Sequence, residues 1–220
     1  MTTISNHKLP VNAKAFGNAI KSFHAATQSR TAGMEMERFI LKPASAGYVL
    51  PDTALHDTFY KALHERIGDD TSVEAGAHMI EIKTGVHHDP QSLCVEMNSH
   101  LATCKEVAAE CGLIVVPSSD LAGYSAETLV QNLVGRIDPV TDKVRRTHEL
   151  PKAYIENGWG HIAKYSCSTT SIQLTHSVED SDKLYRWAKI HSAMMPLYYA
   201  AFENRTRSAD GSHTALATRR

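Results

Sequence analysis

Gly33-Met-Glu-Met-Glu-Arg-Phe-Ile-Leu41 is the stretch that organises the predicted fold. Its apolar residues do not recur at helical spacing, so it is predicted to be a β-strand that ends at Pro43 and Gly47. Alternate side chains of a strand share a face, which places Glu35 and Glu37 together. Two such carboxylates repel each other unless a cation such as Mg²⁺ lies between them. The alternative is an exposed strand face with two solvated glutamates.

A second acidic stretch, residues 71–84, is also predicted to be extended, with an interruption at Ala75-Gly76-Ala77. In one unbroken strand Glu74 and Glu81 would face opposite sides, but a bulge or turn at the interruption would bring both to one side. Glu81 lies between two isoleucines, and a charge in an apolar strand is usually paired or bound to a metal. The alternative is that Glu81 points outward from a half-buried strand.

Helical periodicity marks the segments around these strands. Asp52 precedes apolar residues at helical spacing, and Asp89-Pro90 opens a longer pattern that ends near Gly112. The predicted helices cover residues 16–23, 55–67, 90–109, 125–133 and 180–204.

Two further segments are predicted to be strands. Residues 113–117 are wholly apolar, as in a buried strand, whereas residues 163–176 alternate and carry Gln173 and Thr175 on a polar face. Residues 138–160 contain scattered charges with proline and glycine, and they are predicted to form a surface excursion. Strands separated by helices, without regular β-α-β spacing or a glycine-rich phosphate loop, indicate an α+β fold rather than a doubly wound α/β fold.

The composition narrows the class of protein. The chain has 220 residues, of which 42% are hydrophobic, and this is enough to build a sizeable core. Its 23 Lys and Arg are balanced by 24 Asp and Glu without a basic block, so nucleic acid is not an expected partner. No segment approaches the about 20 apolar residues that cross a bilayer, and the N-terminus has no secretory apolar run. A cytoplasmic protein without membrane association is expected.

The cysteines and histidines show no recognisable metal-binding spacing. Cys94, Cys104 and Cys111 fall in a predicted helix without a C-x-x-C pair, and they are expected to be small buried hydrophobes. His87 and His88 are adjacent in a predicted loop, where neighbouring side chains diverge, and they are expected to be solvated.

Five short motifs follow one another along the chain. They are Gly33-Met-Glu-Met-Glu-Arg38, the segment from Glu74 through Glu81 to Gly85, Thr169-Thr-Ser-Ile-Gln-Leu-Thr-His176, the helix from Leu184 to Asn204, and Gly211-Ser-His-Thr-Ala-Leu-Ala-Thr-Arg219. This order resembles that of the glutamate-cysteine ligase and carboxylate-amine ligase superfamily. The helix resembles the family helix that closes on FANSP, and the last motif resembles G-x-x-T-G-x-x-S-x-R. The resemblance covers residues 30 to 220, and the order is more specific than any single motif.

The resemblance implies a glutamine-synthetase-like catalytic fold. In that fold a mostly antiparallel, curved sheet with packed helices surrounds ATP, divalent cations such as Mg²⁺ and a glutamate substrate. By similarity, Glu35, Glu37, Glu74 and Glu81 are expected to be metal ligands. Gln173 occupies the position where relatives carry Gln or His near the nucleotide phosphates.

The remaining site residues implied by the resemblance are less closely matched. Thr175, on the polar face with Gln173, and Arg38 are expected to help bind the nucleotide, and Arg219 is expected to be catalytic with Glu35 and Glu37. An arginine can hold a phosphate or carboxylate through two parallel hydrogen bonds, although a surface arginine is the alternative for Arg38 and Arg219. The last motif departs from the family pattern because alanines stand at positions 215 and 217 in place of Gly and Ser.

The resemblance also suggests domain boundaries. Residues 1–30 are predicted to be an N-terminal helical segment, and residues 31–220 a ligase-like catalytic domain. Family members are longer, and their C-terminal part contributes a further acidic ligand and substrate-binding residues. The sequence is therefore expected to lack that part of the domain.

The implied activity is an ATP-dependent ligation that joins the side-chain carboxylate of glutamate to an amine, with cysteine as the favoured acceptor, through an acyl phosphate. One alternative is a catalytically incomplete module that binds nucleotide or metal and needs a partner chain. Another is an α+β protein whose acidic residues are merely solvated. The helix at residues 187–199 is expected to expose an apolar patch, and through it to form a homo-oligomer or a complex with a second chain.

Overall fold

The protein folds as helices packed on an antiparallel sheet, and its structure, a computed structural model, describes residues 31–118, 121, 124, 126–178, 180–202, 206–207 and 213–214. The elements follow in the order β1 (Ala32–Ala44), β2 (Gly47–Val49), α1 (Thr53–Ile67), a 3₁₀ helix (Gly68–Asp70), β3 (Thr71–Val73), β4 (Met79–Lys83), α2 (Pro90–Glu110), β5 (Ile114–Val116), α3 (Ala126–Gln131), α4 (Arg146–Glu156), α5 (Gly160–Ser168), β6 (Ile172–His176), α6 (Ser181–Phe202), β7 (Thr206–Arg207) and β8 (His213–Thr214). The described residues form two compact units. One comprises Ala32–Thr175 with β7 and β8, and the other comprises residues 176–202 with Thr31.

The central strand of the six-stranded sheet is β1. The order is β2-β1-β4-β3, and β5 and β6 also pair with β1. With 13 residues, β1 is long enough to serve several partners along its length. The neighbours β2, β4 and β5 are antiparallel to it, as are β3 and β4 to each other. This architecture confirms the predicted α+β class and the predicted strand at residues 33–41.

The alternation of β1 separates two apolar layers. Ile40 points to the layer formed with α1 and α2, which also contains Ile80 and Ile82 of β4. Phe39 and Met79 point to the other layer, which contains residues of α3 and α5. Residues of odd number in β1 therefore face α3 and α5, and this places Glu35 and Glu37 on that face, as predicted.

Two helices begin where the capping residues predict. Asp52 accepts a hydrogen bond from the Leu55 amide at 2.8 Å and starts α1. Asp89 accepts one from the Ser92 amide at 2.8 Å and starts α2, with Pro90 in the first turn. None of the helices in the described part of the chain combines the length and the hydrophobicity that a transmembrane span requires.

The segment from residue 138 to 168 differs from the prediction. Most residues of the surface excursion predicted for residues 138–160 are exposed, but the segment is not irregular throughout, because α4 occupies residues 146–156 despite Pro151 inside it. The strand predicted from residue 163 was wrong up to residue 168, which belongs to α5, and correct for β6. Tertiary contacts decide this region, since Arg145, at the N-cap of α4, is buried and lies 3.0 Å from Asp57 of α1.

The cysteines of α2 differ in burial. Cys104 is buried, as predicted, and Cys111 is half-buried. Cys94 is exposed, so its predicted burial was wrong. The difference arises because α2 packs only one face on the sheet, and Cys94 lies outside that face.

Some predictions fall on residues that the structure does not describe. They are the helix at residues 16–23, the boundary at residue 30, residue 125 at the start of the helix predicted for residues 125–133, and most of the last motif with Arg219.

Candidate metal centre

Three carboxylates converge on the α3 and α5 face of the sheet. They belong to Glu37 on β1, Glu74 just after β3 and Glu81 on β4, and each offers an oxygen within 4.8 Å of the others. Glu37 is only 8% exposed, and the other two are half-buried. We call these three residues the carboxylate triad.

The strand register explains why these residues meet. Glu37 pairs directly with Glu81, and Ser72 of β3 pairs with Glu81 from the other side. Directly paired residues share a face of the sheet, and Glu74, two residues beyond Ser72, shares it too. The chain reverses between β3 and β4, as the Ala75-Gly76-Ala77 interruption predicts. The odd separation of Glu74 and Glu81 is therefore what places them on one face.

A buried histidine packs against the turn that follows Glu74. The ring nitrogens of His78 lie 2.8 Å from Asn132 Oδ1 and 2.6 Å from the Cys167 carbonyl oxygen. A Cβ added at Gly76 would lie 2.4 Å from His78 Cε1, closer than any real contact. Glycine is needed at this position for steric reasons, and the packed turn positions Glu74 beside the two strands.

Backbone and side-chain donors orient two of the carboxylates. The Ser171 amide donates to Glu37 Oε2 at 2.7 Å, and the Ser72 hydroxyl donates to Glu81 Oε1. Lys83 Nζ lies 3.9 Å from Glu81 Oε1. Among the ion pairs of the described residues, this is the one that involves the triad. One nearby cation does not balance three carboxylates, so the triad is rich in negative charge.

The pKa of the Glu74 carboxyl is raised first by its burial and then by its acidic neighbours. Burial raises that pKa from 4.5 to about 7, and the charges of Glu37 and Glu81 add to the effect. Near neutral pH a proton therefore competes for a position that a cation would also fill. Hard divalent cations prefer carboxylate oxygens as ligands. Three carboxylates on one half-buried face therefore form a site that suits Mg²⁺.

Glu35 lies on the same face as the triad but outside it. It pairs with Lys83 across β1 and β4, two residues along the strand from Glu37. Two residues of a strand span about 7 Å, so the backbone of Glu35 lies about that far from the backbone of Glu37. The structure thus groups Glu74, rather than Glu35, with Glu37 and Glu81. The ligand and catalytic roles of Glu35 stay predictions.

Arg38 faces away from the triad. It pairs with Ile80 on the face that packs against α1 and α2, where Cys104 of α2 is a neighbour. Its Nη1 donates to the Glu37 carbonyl at 3.0 Å, and partial burial lowers its pKa. The alternation of β1 therefore does not bring Arg38 together with the acidic residues, and its nucleotide-binding role stays a prediction.

The predicted nucleotide-binding residues of β6 follow Ser171, which contacts Glu37 of the triad, by two and four residues along the chain. Gln173 and Thr175 are exposed, and Gln173 Nε2 donates to Ser171 Oγ at 3.3 Å. Ser171 is the residue whose amide holds Glu37, and its carbonyl accepts from the Glu37 amide at 2.9 Å. This places Gln173 next to a residue that contacts the triad. Its role and that of Thr175 stay predictions, and Arg219 lies outside the described residues.

Ser72, Lys83 and Ser171 are site residues that sequence reasoning missed. The alternation of Ser72 with Glu74 is a period-two signal that could have indicated the first of them. Lys83 follows Glu81 at the same spacing. Ser171 contributes its backbone amide, which no side-chain motif reveals.

Comparisons with known proteins found weak structural similarity and no sequence match. No protein-family model matches this sequence, and no curated protein matches it. Among solved structures, the glutamate–cysteine ligase of Francisella tularensis, crystallised in complex with AMP, matches with a TM-score of 0.45 and 11% sequence identity. The match covers 76% of this chain and 30% of that ligase. The likeness is too weak to assign this chain to the ligase family.

Proposed function

We propose that this chain carries the metal- and nucleotide-binding face of an ATP-dependent carboxylate–amine ligase that joins the side-chain carboxylate of glutamate to an amine, with cysteine as the favoured acceptor. The observation that carries the proposal is the convergence of Glu37, Glu74 and Glu81 on one face of the sheet. The order of the sequence motifs supports the ligase chemistry.

The triad would hold Mg²⁺ through one oxygen of each carboxylate. With Glu37, Glu74 and Glu81 as its protein ligands, the ion would still be able to bind water and phosphate oxygens, as Mg²⁺ commonly does with nucleotides. When bound, the ion would neutralise charge on the phosphates. Ser171 and Ser72 contribute by fixing the orientation of the Glu37 and Glu81 carboxylates before any ligand arrives.

The proposed reaction has two steps. The glutamate carboxylate attacks the γ-phosphorus of ATP, ADP leaves, and an acyl phosphate forms. The amine nitrogen then attacks the acyl carbon, phosphate leaves with the electrons of the C–O bond, and the nitrogen loses a proton. The exposed polar face of β6, with Gln173 and Thr175, would contact the nucleotide phosphates beside the triad.

A second candidate is a metal-binding subunit that needs a partner chain. It is favoured by the exposed apolar side chains of α6, which include Trp187 at 39% and Leu197 at 63% exposure. A partner that covers this helix would remove apolar surface from water. In that case nucleotide and metal bind to this chain, but ligation requires the second polypeptide.

The test is ADP formation by the purified chain with Mg²⁺, ATP, glutamate and a panel of amines, with mass spectrometry of the product. We expect ADP formation that depends on both glutamate and an amine, and a γ-glutamyl amide as the product. Glu37→Gln should lower the rate about 100-fold or more, because a neutral amide cannot replace a metal-binding carboxylate. The exposed Glu65 of α1 offers the matched control, Glu65→Gln, which should leave the rate unchanged.

Three results separate the alternatives. Mg²⁺ binding without ADP formation would favour the subunit that needs a partner. ADP formation unaffected by Glu37→Gln would contradict the role of the triad. Absence of both Mg²⁺ binding and ADP formation would contradict both candidate functions.

A further inference from the structure

A second group of potential metal ligands lies between α2 and the 3₁₀ helix, on residues that the carboxylate triad does not include. Asp70 ends the 3₁₀ helix, and Glu96 and His100 are four residues apart on α2. Each offers a ligand atom within 4.8 Å of the other two. Residues four apart share one face of a helix, so Glu96 and His100 both point toward Asp70. All three are half-buried.

The hydrogen bond made by His100 fixes which ring nitrogen is available. Its Nδ1 lies 2.9 Å from the Lys83 carbonyl oxygen, and a carbonyl only accepts, so Nδ1 carries the proton. A neutral ring therefore presents the Nε2 lone pair. Metal-binding histidines commonly show this arrangement, in which one nitrogen donates to a backbone carbonyl and the other binds the ion. His100 Nε2 lies 3.8 Å from Asp70 Oδ2, beyond hydrogen-bonding distance.

Glu96 is oriented in the same manner. Its Oε2 accepts from the Gly85 amide at 2.9 Å and lies 2.5 Å from His87 Nε2. Both contacts involve one oxygen, and among the described residues Oε1 accepts no such bond. His87, whose predicted solvation was wrong, thus holds the carboxylate from the loop after β4, whereas His88 is exposed as predicted.

We propose that Asp70, Glu96 and His100 form a binding site for a divalent transition metal ion of the Zn²⁺ class. The imidazole ligand distinguishes this site from the triad, because nitrogen suits Zn²⁺ and its neighbours whereas Mg²⁺ prefers oxygen. Zn²⁺ binds such ligands at about 2.1 Å, so tetrahedral ligand atoms lie about 3.4 Å apart. The observed 3.8 Å between Asp70 and His100 is close to that value.

Three protein ligands leave one tetrahedral position for water, and partial exposure gives the ion a route from solvent. The ion would connect the end of the 3₁₀ helix to α2. Through the bonds of His100 to Lys83 and of Glu96 to Gly85, it would also reinforce the end of β4. We therefore expect a bound ion to stabilise the contact between α2 and the sheet.

The test uses the full chain, freed of metal with a chelator and kept in excess Mg²⁺ to fill oxygen-only sites. Titration with Co²⁺ is expected to give one equivalent of visible d–d absorption, which Zn²⁺ then displaces. His100→Gln and Glu96→Gln should each weaken binding about tenfold or more. The control variant His88→Gln changes the neighbouring exposed histidine, and Glu81→Gln changes the triad; both should bind Co²⁺ as the unaltered chain does.

Circular dichroism checks that each variant is folded, and two ligand variants are used so that one misfolded protein does not decide the outcome. Absence of stoichiometric Co²⁺ or Zn²⁺ binding at micromolar protein would overturn the proposal. Equal binding by His100→Gln or Glu96→Gln would also overturn it, because the ion would then be held elsewhere.

Discussion

Replacement of Glu74 by glutamine tests the electrostatics of the triad without changing the shape of the side chain. Burial and two neighbouring carboxylates raise the pKa of Glu74 from 4.5 to about 7. Each pKa unit corresponds to 1.36 kcal/mol, so holding this carboxylate ionised in the folded protein costs about 3 kcal/mol. Glutamine carries no charge at any pH and removes that cost.

The sign follows from proton binding. Between pH 4.5 and 7 the folded chain keeps a proton on Glu74 that the unfolded chain has released. The contribution of this group to stability therefore falls as the pH rises through that window, and stays low above it. Without divalent cations, Glu74→Gln should raise the free energy of unfolding by about 2 to 3 kcal/mol at pH 8 and change it little at pH 4.5.

Urea unfolding at the two pH values, in chelator and in Mg²⁺, measures these differences. Mg²⁺ should stabilise the unaltered chain at pH 8 and should stabilise Glu74→Gln much less, since one ligand is lost. A Glu74→Gln protein that is less stable than the unaltered chain at pH 8, or whose difference is the same at both pH values, would refute the reasoning.

Three further predictions concern packing, buried charge and association. Gly76→Ala should lower the free energy of unfolding by about 2 kcal/mol or more, because the added Cβ would overlap the buried ring of His78. Gly160→Ala, where an added Cβ meets no neighbour, should change it little, and urea unfolding compares the two variants. Arg145→Met should lower the free energy of unfolding by about 3 kcal/mol, since it leaves the buried Asp138 and the half-buried Asp57 without their cation. Arg136→Met breaks an exposed pair and should lower it by less than about 1 kcal/mol in the same assay. Light scattering should give a mass above that of a monomer, and Leu197→Glu on α6 should lower it; a monodisperse monomer at micromolar concentration would contradict the expected association.

Local signals account for the parts of the fold that the sequence predicted. Asp52 and the Asp89-Pro90 pair start helices because a side-chain oxygen satisfies an amide in the first turn, and this requires only neighbouring residues. The long β1 was predictable because its apolar residues lack helical spacing. These features depend on a few consecutive residues, and the structure follows them.

Long-range contacts account for what the sequence did not predict. Helix α4 contains Pro151, and its N-cap residue Arg145 makes no side-chain capping bond, so local signals argue against it. The buried Arg145 at its N-cap forms ion pairs with Asp57 and Asp138, which both lie outside α4, and these contacts hold the start of the helix. The strand predicted at residues 163–168 failed because Ser and Thr occur in both helices and strands, and Ser166 bonds back to Ile162 within α5.

In the candidate site, too, local sequence predicted some features and long-range contacts determined the others. The period of two placed Glu35 and Glu37 on one face, which is a local property of a strand. Register then selects the residues that meet, and it pairs Glu37 with Glu81 but Glu35 with Lys83. Register depends on partner strands, so the sequence alone could not separate Glu35 from the triad or reveal the amide of Ser171.

Direct measurement of Mg²⁺ binding tests the central claim, that Glu37, Glu74 and Glu81 form a metal centre. Isothermal titration of the chelator-treated chain with Mg²⁺ at pH 8 is expected to show one site, which Glu81→Gln abolishes and Glu65→Gln retains. Binding of Mg²⁺ with the same affinity by Glu81→Gln and the unaltered chain, or no binding by the folded unaltered chain, would contradict the account.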